Sequence, residues 1–302
     1  MELIGKTNID FIGKKNISLV ISSIVALIGI IGMIQIARGA ANMGIDFTGG
    51  TSVELKFAQP VSLEQVRNAL AKHNLRDANL QEIKDGNKIL IKVGKTSLAT
   101  GKVVDTIEEV LRKEIPGAGF VVEGSAEIGP SIGDKLRKDT LTAIILSLIG
   151  ITIYIAFRFD FKFGIGSVVS VLHDVLALFA LFFVLNKEFN LLFITATLTI
   201  AGYSMTDTVV VFDRIRENMH KDLKGAITTI INRSVNEVLS RTVVTSLTAF
   251  MAALSLFFFG GEVIHDFALA IVAGIIICTY SSIFVASPIV AILGERAVRI
   301  KA

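Results

Sequence analysis

Six stretches of this chain are apolar on most faces over about the ~20 residues that a helix needs to cross a bilayer core. They cover 17–37, 141–157, 164–185, 190–212, 242–259 and 267–293. Helices satisfy their own backbone groups in lipid, so the pattern predicts six transmembrane helices. Between the first and second lies a segment of different character. There, residues 52–57 alternate apolar and polar positions as a half-buried strand does. Pro60 breaks it, and Ser62 caps a helix carrying Leu63, Val66, Leu70 and His73 along one side. Residues 78–83 make a weak strand, Asp85 to Asn87 a hairpin turn, and 88–93 a stronger strand. A second helix over 101–114 ends at Pro116 and Gly117, and Phe120 opens a last strand. The order is β-α-β-β-α-β, the ferredoxin-like split arrangement, with its helices on one face of the sheet. His73 has no ligand-spaced partners and reads as a solvent-facing or packing residue.

Composition agrees with a membrane bundle. Apolar residues make up 52% of the 302 positions and charged ones 19%, with a mean hydropathy of +0.66. That disfavours a soluble enzyme, a disulfide-stapled secreted domain and a disordered scaffold. The net charge of +3 is too small to argue for nucleic acid. The single cysteine, Cys278, lies inside an apolar run and offers neither a disulfide nor a zinc spacing.

The distribution of charge matters more than its sum. Lys6, Lys14 and Lys15 precede the first span, Arg158 and Lys162 follow the second, and Arg214, Arg216, Lys221, Lys224, Arg233 and Arg241 follow the fourth. Arg296, Arg299 and Lys301 follow the sixth, whereas the opposite links carry only Lys187. The expectation is a cytoplasmic N-terminal tail (1–16), helix 1 (17–37) and an extracytoplasmic segment at 38–138. Helices 2–6 then occupy 139–293, ahead of a cytoplasmic tail at 294–302. The apolar stretch of helix 1 exceeds the roughly 7–15 residues of a signal peptide, so it reads as an uncleaved anchor. Within the cytoplasmic segment 214–241, residues 226–239 are amphipathic and are expected at the membrane surface.

Ionisable side chains inside a span cost at least about 2.5–3.5 kcal/mol and are functional candidates by default. Asp207 lies in the fourth span, about 9 Å below Asp213 at 1.5 Å per residue. Tyr203 and Ser204 precede it by four and three positions on one helix face. A carboxyl out of water resists carrying charge, which makes it a proton acceptor near neutral pH. Asp174, in the third span beside His173, either bonds another helix or joins a relay. Arg241 begins the fifth span and forms a polar stripe with Thr245 and Thr248 at helical spacing. It stays protonated and acts by holding or releasing a carboxylate, unless it snorkels to the interface. There is no phosphate-binding Gly-rich loop and no His-Glu-x-x-His metal motif. The glycines between 124 and 133 follow an outward strand and lead into a span, so they make no nucleotide cradle.

The run GIDFTGGT at 44–51, with Gly44, Asp46, Gly49, Gly50 and Thr51, resembles a motif of the SecD/SecF family of protein-export subunits. HDV at 173–175, GYSMTDTVVVFDRIREN at 202–218, SRT at 240–242 and TYSSI at 279–283 resemble the SecF branch in the same order. Members often carry Asn before the fourth-span Asp, where this chain has Thr206. The resemblance implies a six-span half of the resistance-nodulation-division architecture in the bacterial inner (plasma) membrane. It implies pairing with SecD, assistance to the SecYEG channel with YajC and YidC as further candidates, and a translocating preprotein as substrate. It also implies use of the proton-motive force without an ATPase site or cofactor. The coupling ion is expected to be H⁺, with Na⁺ left open. The family's proton-pathway residues fall on Asp207 and Arg241. A small-molecule exporter of the same superfamily, an intramembrane aspartyl protease using Asp174 and Asp207, and a purely structural channel partner are the rival readings.

Overall fold

The computed structural model describes residues 5, 7–73, 75, 78–83, 87–94 and 102–301, without the side chains of 262, 263 and 296–301. A 3₁₀ turn at Ile12–Lys14 leads into α1 (Lys15–Ala37). Then come α2 (Ile45–Thr48), β1 (Gly50–Phe57), α3 (Leu63–Ala71), β2 (Asn79–Ile83), β3 (Lys88–Val93), α4 (Val103–Glu114) and β4 (Phe120–Ile128). The chain continues through α5 (Pro130–Arg158), α6 (Phe161–Val184), α7 (Leu191–Lys221), α8 (Ile227–Phe259) and α9 (Glu262–Ser281). A π-helical turn at Ser282–Ala286 joins α9 to α10 (Ser287–Lys301). The chain forms two units, residues 43–142 and residues 1–42 with 143–302.

The smaller unit holds a four-stranded antiparallel sheet in the order β2-β3-β1-β4. Alternation does what the sequence predicts: Val53, Leu55 and Phe57 of β1 and Ile89, Ile91 and Val93 of β3 are buried. They form one core with Val66 and Leu70 of α3 and Ile107 and Leu111 of α4. Ser62 starts α3 through a capping box, its hydroxyl accepting from the Gln65 amide while the Gln65 side chain accepts from the Ser62 amide. Lys88 pairs with Glu54 and Glu123, and Lys56 with Glu123. His73 sits at the end of α3, with Nε2 3.4 Å from Glu114. The expected Asp85–Gly86 part of the turn and the Gly101 helix start lie outside the described residues.

Five helical segments among the described residues are both long and apolar enough to cross a membrane: 12–37, α5, α6, α8 and 264–295. Their outer faces are bare. Ile17, Val20, Ile24, Leu27 and Ile31 on α1 and Leu141, Ile145, Ile149 and Phe157 on α5 are all exposed. Water does not tolerate such continuous apolar faces; lipid does.

The fourth expected span falls in α7, which is not among the five. Its 31 residues extend about 46 Å. Thr197, Ser204, Asp207 and Thr208 dilute its apolarity, and all four are buried inside the larger unit. The amphipathic segment at 226–239 also differs from expectation. It is no separate surface helix but the first half of α8, which runs unbroken into the fifth span. Its apolar side, Ile231, Val235 and Leu239, joins a core with Phe212 and Ile215 of α7 and Val290 of α10. That face is satisfied by protein, so it has no need of the membrane surface.

Polar contacts fasten one end of this unit. Arg158 donates twice to Asp213 at 2.8 Å, and Arg214 bridges Glu217 and Glu237 at 2.7 Å. Asn232 and Asn236, one turn apart on α8, hold the chain before α1. Asn232 Oδ1 accepts from the amides of Phe11 and Ile12, and its Nδ2 donates to Asp10. Asn236 Oδ1 accepts from the Ile9 amide, and its Nδ2 donates to the Ile9 carbonyl. At the other end, Lys187 pairs with Asp266 at 2.7 Å.

Candidate functional site

Two buried carboxyls lie among helices α6 to α9, each in its own ring of hydroxyls. Asp207 is 4% exposed. Ser246 of α8 donates to its Oδ2 at 3.2 Å, and Thr279 of α9 donates to Ser246 at 2.8 Å. The buried hydroxyl of Tyr203 lies near Ser246 without closing a hydrogen bond among the described residues. Three helices therefore meet around one acid. The bonded neighbours among the described residues are neutral hydroxyls, so protonation removes the charge to which they are oriented.

Asp174 of α6 is fully buried. Its Oδ2 accepts from Ser204 of α7 at 2.5 Å and Ser281 of α9 at 2.8 Å, and its Oδ1 lies 3.1 Å from His173 Nδ1. Ser170, one turn earlier, donates to Ser281 at 3.1 Å. Ser204, expected as a relay or helix-contact residue, gives its hydroxyl to Asp174 on the neighbouring helix rather than to Asp207 on its own. Adjacent residues of a helix point apart, but the His173 side chain curls back to its neighbour's carboxylate.

Among the described residues no ion pair joins Asp207 to Arg241. Ser246 follows Arg241 by five positions, which is about 140° around a helix. Thr242 and Ser246 make the inward face of α8, whereas Arg241, Thr245 and Thr248 are exposed. Among the described residues Arg241 makes no ion pair, and Thr245 only returns bonds to the carbonyls of Arg241 and Thr242. The polar stripe read from spacing exists, but it faces out of this chain.

The GIDFTGGT run builds a junction by local geometry. Gly44 precedes the single turn α2, and the Thr48 hydroxyl bonds back to the Gly44 carbonyl. Gly49 (φ +68°) and Gly50 (φ +136°) then turn the chain into β1. A Cβ on Gly50 would stand 2.3 Å from the Val93 carbonyl, so only glycine fits there. Thr51 is buried at the start of β1, and Asp46 lies in the first turn of α2.

Sequence reasoning missed Ser246, Thr279 and Ser281 as partners of the two acids. Single hydroxyls in apolar spans signal helix contacts in general but not which contact. No group of three or more metal-ligating side chains occurs among the described residues.

The chain's sequence matches the profile of "Protein export membrane protein SecD/SecF, C-terminal" over residues 110–296. It matches the SecD/SecF GG motif over residues 41–61, around Gly49 and Gly50. It is 53% identical over 298 residues to the protein translocase subunit SecF of Thermodesulfovibrio yellowstonii, covering 98% of each chain. With the SecF subunit of Calditerrivibrio nitroreducens it shares 40% identity over 96% of each. Among solved structures it resembles SecDF of Thermus thermophilus, described as a translocon-associated membrane protein, with a TM-score of 0.84 and 35% identity over 96% of this chain. A SecDF structure in a super-membrane-facing form gives a TM-score of 0.70. The chain spans about two-fifths of those SecDF chains, 39% and 40%. On its sequence along nearly the whole length, and on its fold, the chain belongs to the SecD/SecF family of protein-export membrane proteins.

Proposed function

We propose that this chain is the SecF-type half of a bacterial inner-membrane export motor. It works beside a SecD-type subunit at the SecYEG channel and draws on the proton-motive force to carry preproteins through their late steps. In this reading α7 is also a span, the fourth of six along the chain, and both termini are cytoplasmic. Residues 38–138 face outward, and their β-α-β-β-α-β unit is ferredoxin-like. Its sheet order and antiparallel pairing support that last point.

The observation that carries the reading is Asp207, a buried carboxyl bonded by Ser246 of α8, which Thr279 of α9 bonds in turn, in a bundle with bare apolar walls. Charged, it draws Ser246 and, through it, Thr279 toward α7; neutral, it releases them. One charge crossing the membrane is worth about 2.3 kcal/mol per 100 mV, enough to bias two helix packings. Arg241 supports a partner across the membrane. An exposed guanidinium with Thr245 and Thr248 is costly against acyl chains and fits a polar face of a second subunit. YajC and YidC stay as further candidates, and the coupling ion is H⁺ in preference to Na⁺. Nothing in the reading requires a cofactor or an ATPase site.

The test is preprotein export into inverted membrane vesicles with and without an ion gradient. Asp207→Asn, a near-isostere without charge, is expected to assemble with its partner and lose the gradient-dependent part of export. Normal gradient-dependent export by that variant overturns the proton role and leaves a structural channel partner.

A further inference from the structure

Thr279 and Ser281 of α9 are two positions apart, about 200° around the helix. They therefore point to opposite sides. Thr279 reaches the Asp207 ring through Ser246, and Ser281 reaches Asp174. Helix α9 is thus held on one side by each carboxyl. Immediately after Ser281 the helix widens into the π-helical turn at Ser282–Ala286. The cause is legible: Pro288 has no N–H for the carbonyl of Phe284 four positions back. The freed carbonyl faces the Ser18 hydroxyl of α1 at 3.1 Å, which it shares with the Lys15 carbonyl at 3.0 Å, and the Ser287 hydroxyl donates to the Ser282 carbonyl at 2.9 Å. Tyr280 adds a bond to the Ser18 carbonyl at 3.1 Å and lies 3.1 Å from Ser22. A widened turn is a common place for a helix to bend or shift register.

We propose that the Ser282–Ala286 turn is the hinge on which α9 moves against α10, and that Asp174 is a second proton-accepting group that fastens it. The carboxylate draws the hydroxyls of Ser281 and Ser204 into charge-assisted hydrogen bonds. When Asp174 takes up a proton, those bonds weaken and α9 is free to turn on Ser282–Ala286. The return of charge refastens it. Asp174 is a positioning residue here: it acts on the hinge through Ser281. Among the described residues the groups able to titrate around it are His173 on its own helix, Tyr203 and Asp207 on α7, and Cys278 and Tyr280 on α9, and α1 presents Ser18 and Ser22 there. This deepens the export reading yet fails separately from it, since it concerns a local motion and is read without any export assay.

The test is hydrogen–deuterium exchange of peptides spanning 278–290, in the full chain reconstituted in nanodiscs, across pH and corrected for intrinsic rates. In the wild type, protection should fall at low pH by roughly three- to tenfold, the population ratio that one net hydrogen bond sets. Asp174→Asn should show the low-pH level at every pH. Ser281→Ala, which keeps the carboxyl, should raise exchange at high pH and leave the low-pH level unchanged. His173→Gln should keep the wild-type profile. A flat wild-type profile, or one that survives in Asp174→Asn or disappears in His173→Gln, overturns the proposal.

Discussion

At the scale of single residues, the five positions between Arg241 and Ser246 separate two roles on one helix. Ser246 bonds Asp207 inside the unit, while Arg241 faces outward. Ser246→Ala leaves a buried acid without its donor. It should cost the purified chain about 1–3 kcal/mol, read as a lowered thermal midpoint. Arg241→Ala removes no ion pair and no side-chain hydrogen bond among the described residues. It should leave that midpoint within about 0.5 kcal/mol of wild type while reducing gradient-driven export with the partner present. Gly50→Ala should be harsher than either of these changes, since φ of +136° and the Val93 carbonyl at 2.3 Å both reject a Cβ. Backbone strain alone there is worth about 1–3 kcal/mol. The sequence showed both acids and Arg241 because ionisable groups stand out in apolar spans. It did not show their partners: a lone Ser246 in an apolar run has the same local signature whether it faces an acid, another helix or lipid. Helix phase separates Arg241 from Ser246, but only the packed neighbours decide which phase is inside.

At the scale of elements, pattern succeeds where burial has a period. The strands at 52–57 and 88–93 and the helix from Ser62 are formed as read, because one face of each meets a core. It fails where an element continues through a change of surroundings. Residues 226–239 look interfacial in isolation, but the face they offer is filled by α7 and α10. The Pro288 signal was in plain view. What it leaves is an orphan carbonyl, and the donor that answers it sits 266 positions earlier, on α1. Between α3 and α4, Glu114 accepts from Lys72 at 2.5 Å and lies near His73. Lys72 first, then His73, holds its carboxyl below the ordinary 4.5. A lowered carboxyl value means the pair stabilises the domain above pH ~4.5 and loses that effect as pH falls through the folded value. Glu114→Gln should therefore lower the unfolding midpoint slightly at pH 7 and match wild type near pH 3. The pair is exposed, and salt should shrink the difference at pH 7.

At the scale of the whole molecule, α8 presents a seam that this chain leaves open. Arg241, Thr245, Thr248, Ala252, Ser255 and Phe259 recur at alternating steps of four and three, and all are exposed. That spacing keeps one stripe facing a neighbouring helix crossing at about +20°. Small and hydroxyl-bearing residues let two membrane helices approach closely, whereas lipid gains nothing from them. Helix α1 shows the opposite surface, with Ile17, Ile24 and Ile31 at seven-residue intervals and no polar group among them. The proposed SecD-type partner should therefore cover α8 and leave the outer face of α1 to lipid. Thr248→Trp, which fills the seam, should sharply reduce the partner recovered when the pair is purified together. Ile24→Trp, equally bulky on the lipid side, should leave recovery unchanged. The two variants separate a true seam from a general sensitivity to bulk, because both place the same ring on an exposed transmembrane face. Equal recovery in the two would mean that the Arg241 stripe meets something other than a subunit.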